Sequence, residues 1–165
     1  MKHIISIVVK NNSSVLARIS SLYGRRGFNI DSLSVAATDD PDISRITIVT
    51  QGDEYALDQI VKQTKKLQET IDCYPIVEDE SVCRELLLVK VVTDSSFDNT
   101  LVNFCDKYGA QILDISENSV ILELCGTSSK VDEFLSAVMG ARGEHYDIRQ
   151  VCRTGIAALK RGVRR

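Results

Sequence analysis

A chain of 165 residues, 44% of them hydrophobic and 26% charged, is long enough to bury a core as one domain or as two small ones, and reads as an ordinary soluble globular protein. Its longest apolar runs, such as Leu86–Val89, are strand-sized, which excludes a membrane span; no signal peptide is expected either. The net charge of −3 is uneven: Arg153, Lys160, Arg161, Arg164 and Arg165 contribute +5 with no acid among them, so residues 1–152 carry −8, and so acidic a body repels phosphate and argues against nucleic acid as a partner.

The first strand is expected over Lys2–Val9, rich in isoleucine and valine. Asn11, Asn12, Ser13 and Ser14 follow, all good helix N-cap types, and Val15, Ile19, Leu22 and Tyr23 give the i, i+4, i+7, i+8 spacing of a helix with one buried face. Gly27 supplies the left-handed residue that stops that helix. Ser32–Thr38 reads as a second strand, Asp39–Asp42 as a turn, and Arg45–Gln51 as a third strand antiparallel to the second. A helix is expected over Glu54–Glu69, then a strand over Ile71–Val77, in which Pro75 points to a sheet edge.

Glu78–Ser81 is a charged linker, and beyond it the order repeats. Strands are expected at Leu86–Val92, Gln111–Ile115, Ser119–Cys125 and Tyr146–Cys152. Helices fall at Phe97–Tyr108 and Ser128–Met139, the latter burying Val131, Phe134, Leu135 and Val138. The fold class is therefore α+β, two tandem ferredoxin-like βαββαβ domains at residues 1–78 and 79–165, with the basic tail as a solvated end.

Chemistry-bearing clusters are few. Cys73, Cys83, Cys105, Cys125 and Cys152 are scattered with no CxxC pair, which fits idle thiols in a reducing cytoplasm better than disulfides or zinc. Asp39, Asp40 and Asp42 match no calcium loop and are explained by the turn. His3 and His145 lie in no nucleophile setting, so no catalytic residue and no metal ligand is expected. Gly24–Gly27 sits at a helix C-terminus, where the dipole disfavours a phosphate. Two readings of the Asn11–Val15 turn stand: plain helix capping, or capture of a free amino acid, whose carboxylate suits helix N-terminal amides and whose ammonium suits an asparagine carbonyl oxygen.

Read together, His3–Val9, Asn11, Leu16-Ala-Arg18, Arg26–Leu33, Thr38–Pro41, Ser44-Arg-Ile-Thr47, Gly52-Asp-Glu54 with Gln59-Ile60, Glu85–Val91, Gln111–Ile115, Gly126–Lys130 and Arg153–Ile156 resemble, in order and spacing over essentially the whole chain, the small regulatory subunit of acetohydroxyacid synthase, also called acetolactate synthase. The resemblance implies an N-terminal ACT domain, a homodimer formed through it, and valine or a related branched-chain amino acid bound at the dimer interface. It implies contacts from Asn11 and Ser14 of one protomer, with the amides of Val15 and Leu16 on the carboxylate, and from Asn29 and Ile30 of the other. It further implies a large catalytic partner that owns the thiamine diphosphate, Mg and FAD, is activated by this chain, and becomes subject to valine feedback in branched-chain amino acid biosynthesis.

Two departures stand out. The family usually has glycine where this chain has Ser14, which either caps the helix and leaves the pocket intact or crowds the ligand. Tyr108-Gly-Ala-Gln111 lacks the arginine of the family's aromatic-Arg-Gly-Gln motif. The rival readings are an activator made valine-insensitive by Ser14, or an amino-acid sensor that regulates a different partner.

Overall fold

The computed structural model describes residues 1–93, 99–140 and 146–162. The expected helix start at Phe97, His145, Arg164 and Arg165 lie outside them. The chain divides into two compact units, Met1–Cys83 with Gly155–Arg165, and Arg84–Thr154.

The first unit runs β1 (Lys2–Lys10), α1 (Val15–Arg25), β2 (Ile30–Ala37), β3 (Ile43–Gln51), α2 (Glu54–Lys65) and β4 (Thr70–Ile76). Its sheet has the order β2-β3-β1-β4, with every neighbouring pair antiparallel. Alternation along the strands places Ile5, Ile7, Val9, Ile46 and Ile48 on one face, against Val15, Ile19, Leu22, Tyr23 and Ile60 of the helices. Pro75 lies in β4, at a sheet edge, where its missing N–H costs no ladder bond. The helix ends where expected: Gly27 adopts φ +75° while the N–H groups of Arg26 and Phe28 donate to the Tyr23 carbonyl.

Register sorts the other face of this sheet into cross-strand rows. Ser32, Val49, Ile4 and Ile76 form one; Ser34, Thr47, Ser6 and Tyr74 form the next, a row of four hydroxyls; Ala36, Arg45, Val8 and Asp72 form a third.

Within the core, Tyr23 and Cys73 are fully buried. Burial pushes the Cys73 thiol from its ordinary 9.0 up to about 12, with Lys65 working against it, and raises the Tyr23 phenol as well. Stability from the protonated thiol is thus whole below pH 9 and is lost as pH rises towards 12, because the unfolded chain ionises first. Denaturant titrations from pH 8.5 to 10.5 are expected to show wild type losing up to about 1.4 kcal/mol per pH unit more than Cys73→Ala. Equal slopes would contradict this.

The second unit repeats the topology with β5 (Ser81–Thr93, entering from the first unit), α3 (Asn99–Tyr108), β6 (Gln111–Ser116), β7 (Ser119–Gly126), α4 (Ser128–Gly140) and β8 (Tyr146–Arg153), in the order β6-β7-β5-β8. Leu87, Val89, Val91, Val120, Leu122 and Leu124 pack on Leu101, Cys105, Val131, Phe134 and Val138. Leu135, expected in the core, is only partly buried beside it. Glu85 is held on this unit by Arg153, whose Nε and Nη2 donate to its two oxygens at 2.7 and 2.8 Å while Nη1 donates to Asp132 at 2.7 Å. Ser128 Oγ adds a bond to Glu85 at 3.2 Å.

The tail departs from expectation. Residues 155–162 belong to the first unit rather than the second, and Ala157–Lys160 is a further strand, β9. Ile156 and Ala158 are buried against Ile4, Val49 and Ile76, the Arg161 N–H donates to the Glu80 carbonyl at 2.8 Å, and Lys160 Nζ stands 4.7 Å over the Tyr74 ring. The cause is the apolar row on the outer sheet face, which gains by being covered. Gly155 makes the turn into β9 at φ +75°, and a Cβ there would stand 3.0 Å from Ser32 Oγ. Gly155→Ala is therefore expected to cost about 2 kcal/mol, from left-handed strain and the tight contact together, read as a lowered denaturation midpoint.

Candidate functional site

The Asn11 turn joins β1 to α1 and is pinned from outside. The Asn11 backbone N–H donates to the Asp42 carbonyl at 2.7 Å, and its side-chain Nδ2 to the Pro41 carbonyl at 2.9 Å. The Asp39–Asp42 turn therefore has a positioning role that its sequence alone did not signal. Asp40 shapes that turn by accepting from the Asp42 N–H at 2.9 Å.

Ser14 is the helix N-cap, with φ −102° and ψ −3°, and its side chain makes no capping bond. That backbone is open to any residue, so the serine carries no torsional strain, and its hydroxymethyl group stands at the helix mouth. Val15 is buried in the core, and its N–H already donates to the Asn12 carbonyl at 3.2 Å. The first i to i−4 bond runs from Arg18 to Ser14, so Leu16 and Ala17 carry the amides without an intrahelical acceptor. Of the two amides named from the sequence, that of Leu16 is among these and that of Val15 is engaged within the turn. Leu16 itself is 36% exposed.

Asn29 and Ile30 lie beyond the other end of α1, an 11-residue helix about 16 Å long. Asn29 is fixed as firmly as Asn11: its carbonyl accepts from Thr50 Oγ1 at 2.6 Å, and its Nδ2 donates to Asp31 at 2.6 Å, which in turn accepts from Gln51 Nε2 at 3.0 Å. Asp31 and Thr50 were not foreseen as supports. In both asparagines the amide nitrogen is used internally, and no described residue donates to the side-chain oxygen, leaving two acceptors suited to an ammonium group. Ile30 is half-buried beside the core. Within one chain the structure thus brings Asn11, Ser14 and Leu16 together and holds Asn29 and Ile30 a helix length away.

Among the described residues no group of three or more His, Cys, Asp or Glu side chains is gathered to hold a metal, and no helix is long and apolar enough to cross a membrane.

Family models match both halves of the chain: the "AHAS small subunit-like ACT domain" over residues 5–72 and the "Small subunit of acetolactate synthase" over residues 84–162. The chain is 41% identical to the Archaeoglobus fulgidus protein named "Probable acetolactate synthase small subunit", covering 98% of each. The chain belongs to the acetolactate synthase small-subunit family. It is 36% identical to the isozyme 3 small subunit of Escherichia coli K12, covering 98% of this chain and 97% of that one. The crystal structure of the small subunit from Thermotoga maritima superposes with a TM-score of 0.86 at 31% identity, over 99% of both chains. The tandem ferredoxin-like architecture and the N-terminal ACT domain are thus those of small subunits.

Proposed function

We propose that this chain is a cytoplasmic regulatory subunit without a catalytic site of its own, which binds the large catalytic subunit of an acetolactate synthase, raises its activity and makes it sensitive to valine. Thiamine diphosphate, Mg and FAD then belong to the partner. The observation that carries this reading is the family match over both halves, joined by 41% identity to the Archaeoglobus fulgidus protein. The sensing site is proposed to need two chains. Asn11, Ser14 and the start of α1, with the amides of Leu16 and Ala17 and less readily Val15, would come from one; Asn29 and Ile30 would come from the other. Support comes from the helix length that separates the asparagines and from the acceptor oxygen each keeps. A two-fold axis can bring such separated groups together.

Valine has few atoms, so its Kd is expected between tens of micromolar and millimolar, near −1 kcal/mol per heavy atom or weaker. Reconstitution of a large subunit with and without this chain, across a valine titration, tests the reading: activity rising on addition and falling with valine supports it. Activation without a valine response would favour the rival in which Ser14 blocks the site, a reading favoured by the uncommitted hydroxymethyl group at the helix mouth. Ser14→Gly is expected to tighten valine binding about threefold to tenfold by clearing the approach to the Leu16 amide, measured by calorimetry.

A further inference from the structure

The outer sheet face of the first unit carries a second group of polar side chains, centred on Arg45. Arg45 is half-buried near the start of β3, and its Nη1 donates to Ser6 Oγ at 3.0 Å and Tyr74 Oη at 2.9 Å. Both acceptors are neutral hydroxyls of the cross-strand row, and among the described residues no carboxylate pairs with this guanidinium. The anchoring occupies Nη1 and leaves the edge formed by Nε and Nη2, the edge that grips a carboxylate with two parallel bonds. The same chain shows the completed arrangement elsewhere: Arg153 uses Nε and Nη2 on Glu85 and turns Nη1 to Asp132.

Arg45 borders a cleft of about 410 Å³, of the size that holds small metabolites. Ser34 and Thr47 of the hydroxyl row line it, and Ala36, Ala157 and Ala158 give it small apolar walls. Asp39 lines it too, and no ion pair joins Asp39 to Arg45. A guanidinium and a carboxylate lining one small cleft complement a zwitterion.

We propose that this cleft binds a free α-amino acid with a short aliphatic side chain, its carboxylate on the Nε and Nη2 edge of Arg45 and its ammonium on Asp39. The site lies within a single chain and uses none of Asn11, Ser14, Asn29 or Ile30, so it stands or falls independently of the two-chain site. Its ligand has the chemistry of an amino acid, yet it is built from a guanidinium and a carboxylate where the other uses helix amides and asparagine oxygens.

The test is a nuclear magnetic resonance titration of the full-length chain with L-valine and, separately, with 2-oxoisovalerate, which keeps the carboxylate and lacks the ammonium. The Arg45 Nε–H signal and the amides of Ser34, Ala36, Thr47 and Ala158 are expected to shift with a millimolar Kd, in Asn11→Ala as in wild type. Arg45→Met, which keeps the aliphatic stem, is expected to weaken both ligands at least tenfold at these signals. Asp39→Asn, on an exposed turn, is expected to weaken valine several-fold and leave 2-oxoisovalerate unchanged, which keeps the test decisive if Arg45→Met fails to fold. Shifts confined to Asn11–Ala17, cleft shifts that persist in Arg45→Met, or equal effects of Asp39→Asn on both ligands would each overturn the proposal.

Discussion

Arg153→Met lowers the unfolding free energy by about 3 kcal/mol or more, the largest stability effect expected of a single substitution outside the apolar cores. Glu85 has only 5% of its side chain exposed, and its charge depends on the two parallel bonds from Arg153. Those bonds are the leading reason that Arg153 holds its proton more tightly than an ordinary arginine, with Asp132 adding to it. Methionine preserves the stem but strands a carboxylate in a site that water barely reaches, where among the described residues the Ser128 hydroxyl is the side-chain donor left to it. The Glu85→Gln, Arg153→Met double variant relieves the stranded charge and is expected to recover at least half of the loss. Urea unfolding of the four proteins of this cycle provides the measurement; a loss under 1 kcal/mol in Arg153→Met would show that the pair contributes no more than an exposed one.

Asn11→Ala and Asn29→Ala should each weaken valine binding tenfold to a hundredfold, the effect of losing a hydrogen bond to a charged group. The two changes act at opposite ends of α1, so a mixture reveals whether the site is shared. In a heterodimer of the two variants one site loses both asparagines, while the other keeps Asn11 from one chain and Asn29 from its partner. Calorimetry on co-expressed, tag-selected heterodimers should therefore recover wild-type affinity at half the stoichiometry. If all six residues acted within one chain, the heterodimer would bind no better than either variant alone.

Much of the fold was legible because strand alternation and helical spacing are local signals. The isoleucine and valine richness of Lys2–Val9 announces a strand, the alternation of Ile46, Ile48 and Thr50 with Thr47 and Val49 announces another, and Pro75 marks an edge by chemistry. The candidate site residues stand out in the sequence as polar turns flanking a helix, and the resemblance favours the amino-acid reading of them over plain capping. The support around them was not legible. Asn11 leans on Pro41 and Asp42 and Asn29 on Thr50, partners some 20 to 30 positions away that meet only through sheet register. The hydroxyl row on the outer face was equally hidden, since Ser6, Ser34, Thr47 and Tyr74 are isolated along the chain. The strand Ala157–Lys160 carries little local signal, because four residues give too short an alternation and its basic flank reads as solvated.

That last strand makes the first unit discontinuous in sequence, and the order of synthesis matters as a result. Once Cys83 has left the ribosome, the sheet can form with Ile4, Val49 and Ile76 open to water, and their cover at Ile156 and Ala158 is made only after the roughly 70 residues of the second unit. At ordinary elongation rates that gap lasts roughly 4 to 14 seconds. For that interval the nascent chain presents an apolar stripe of the kind that chaperones hold, and a fragment cut at the linker would present it permanently.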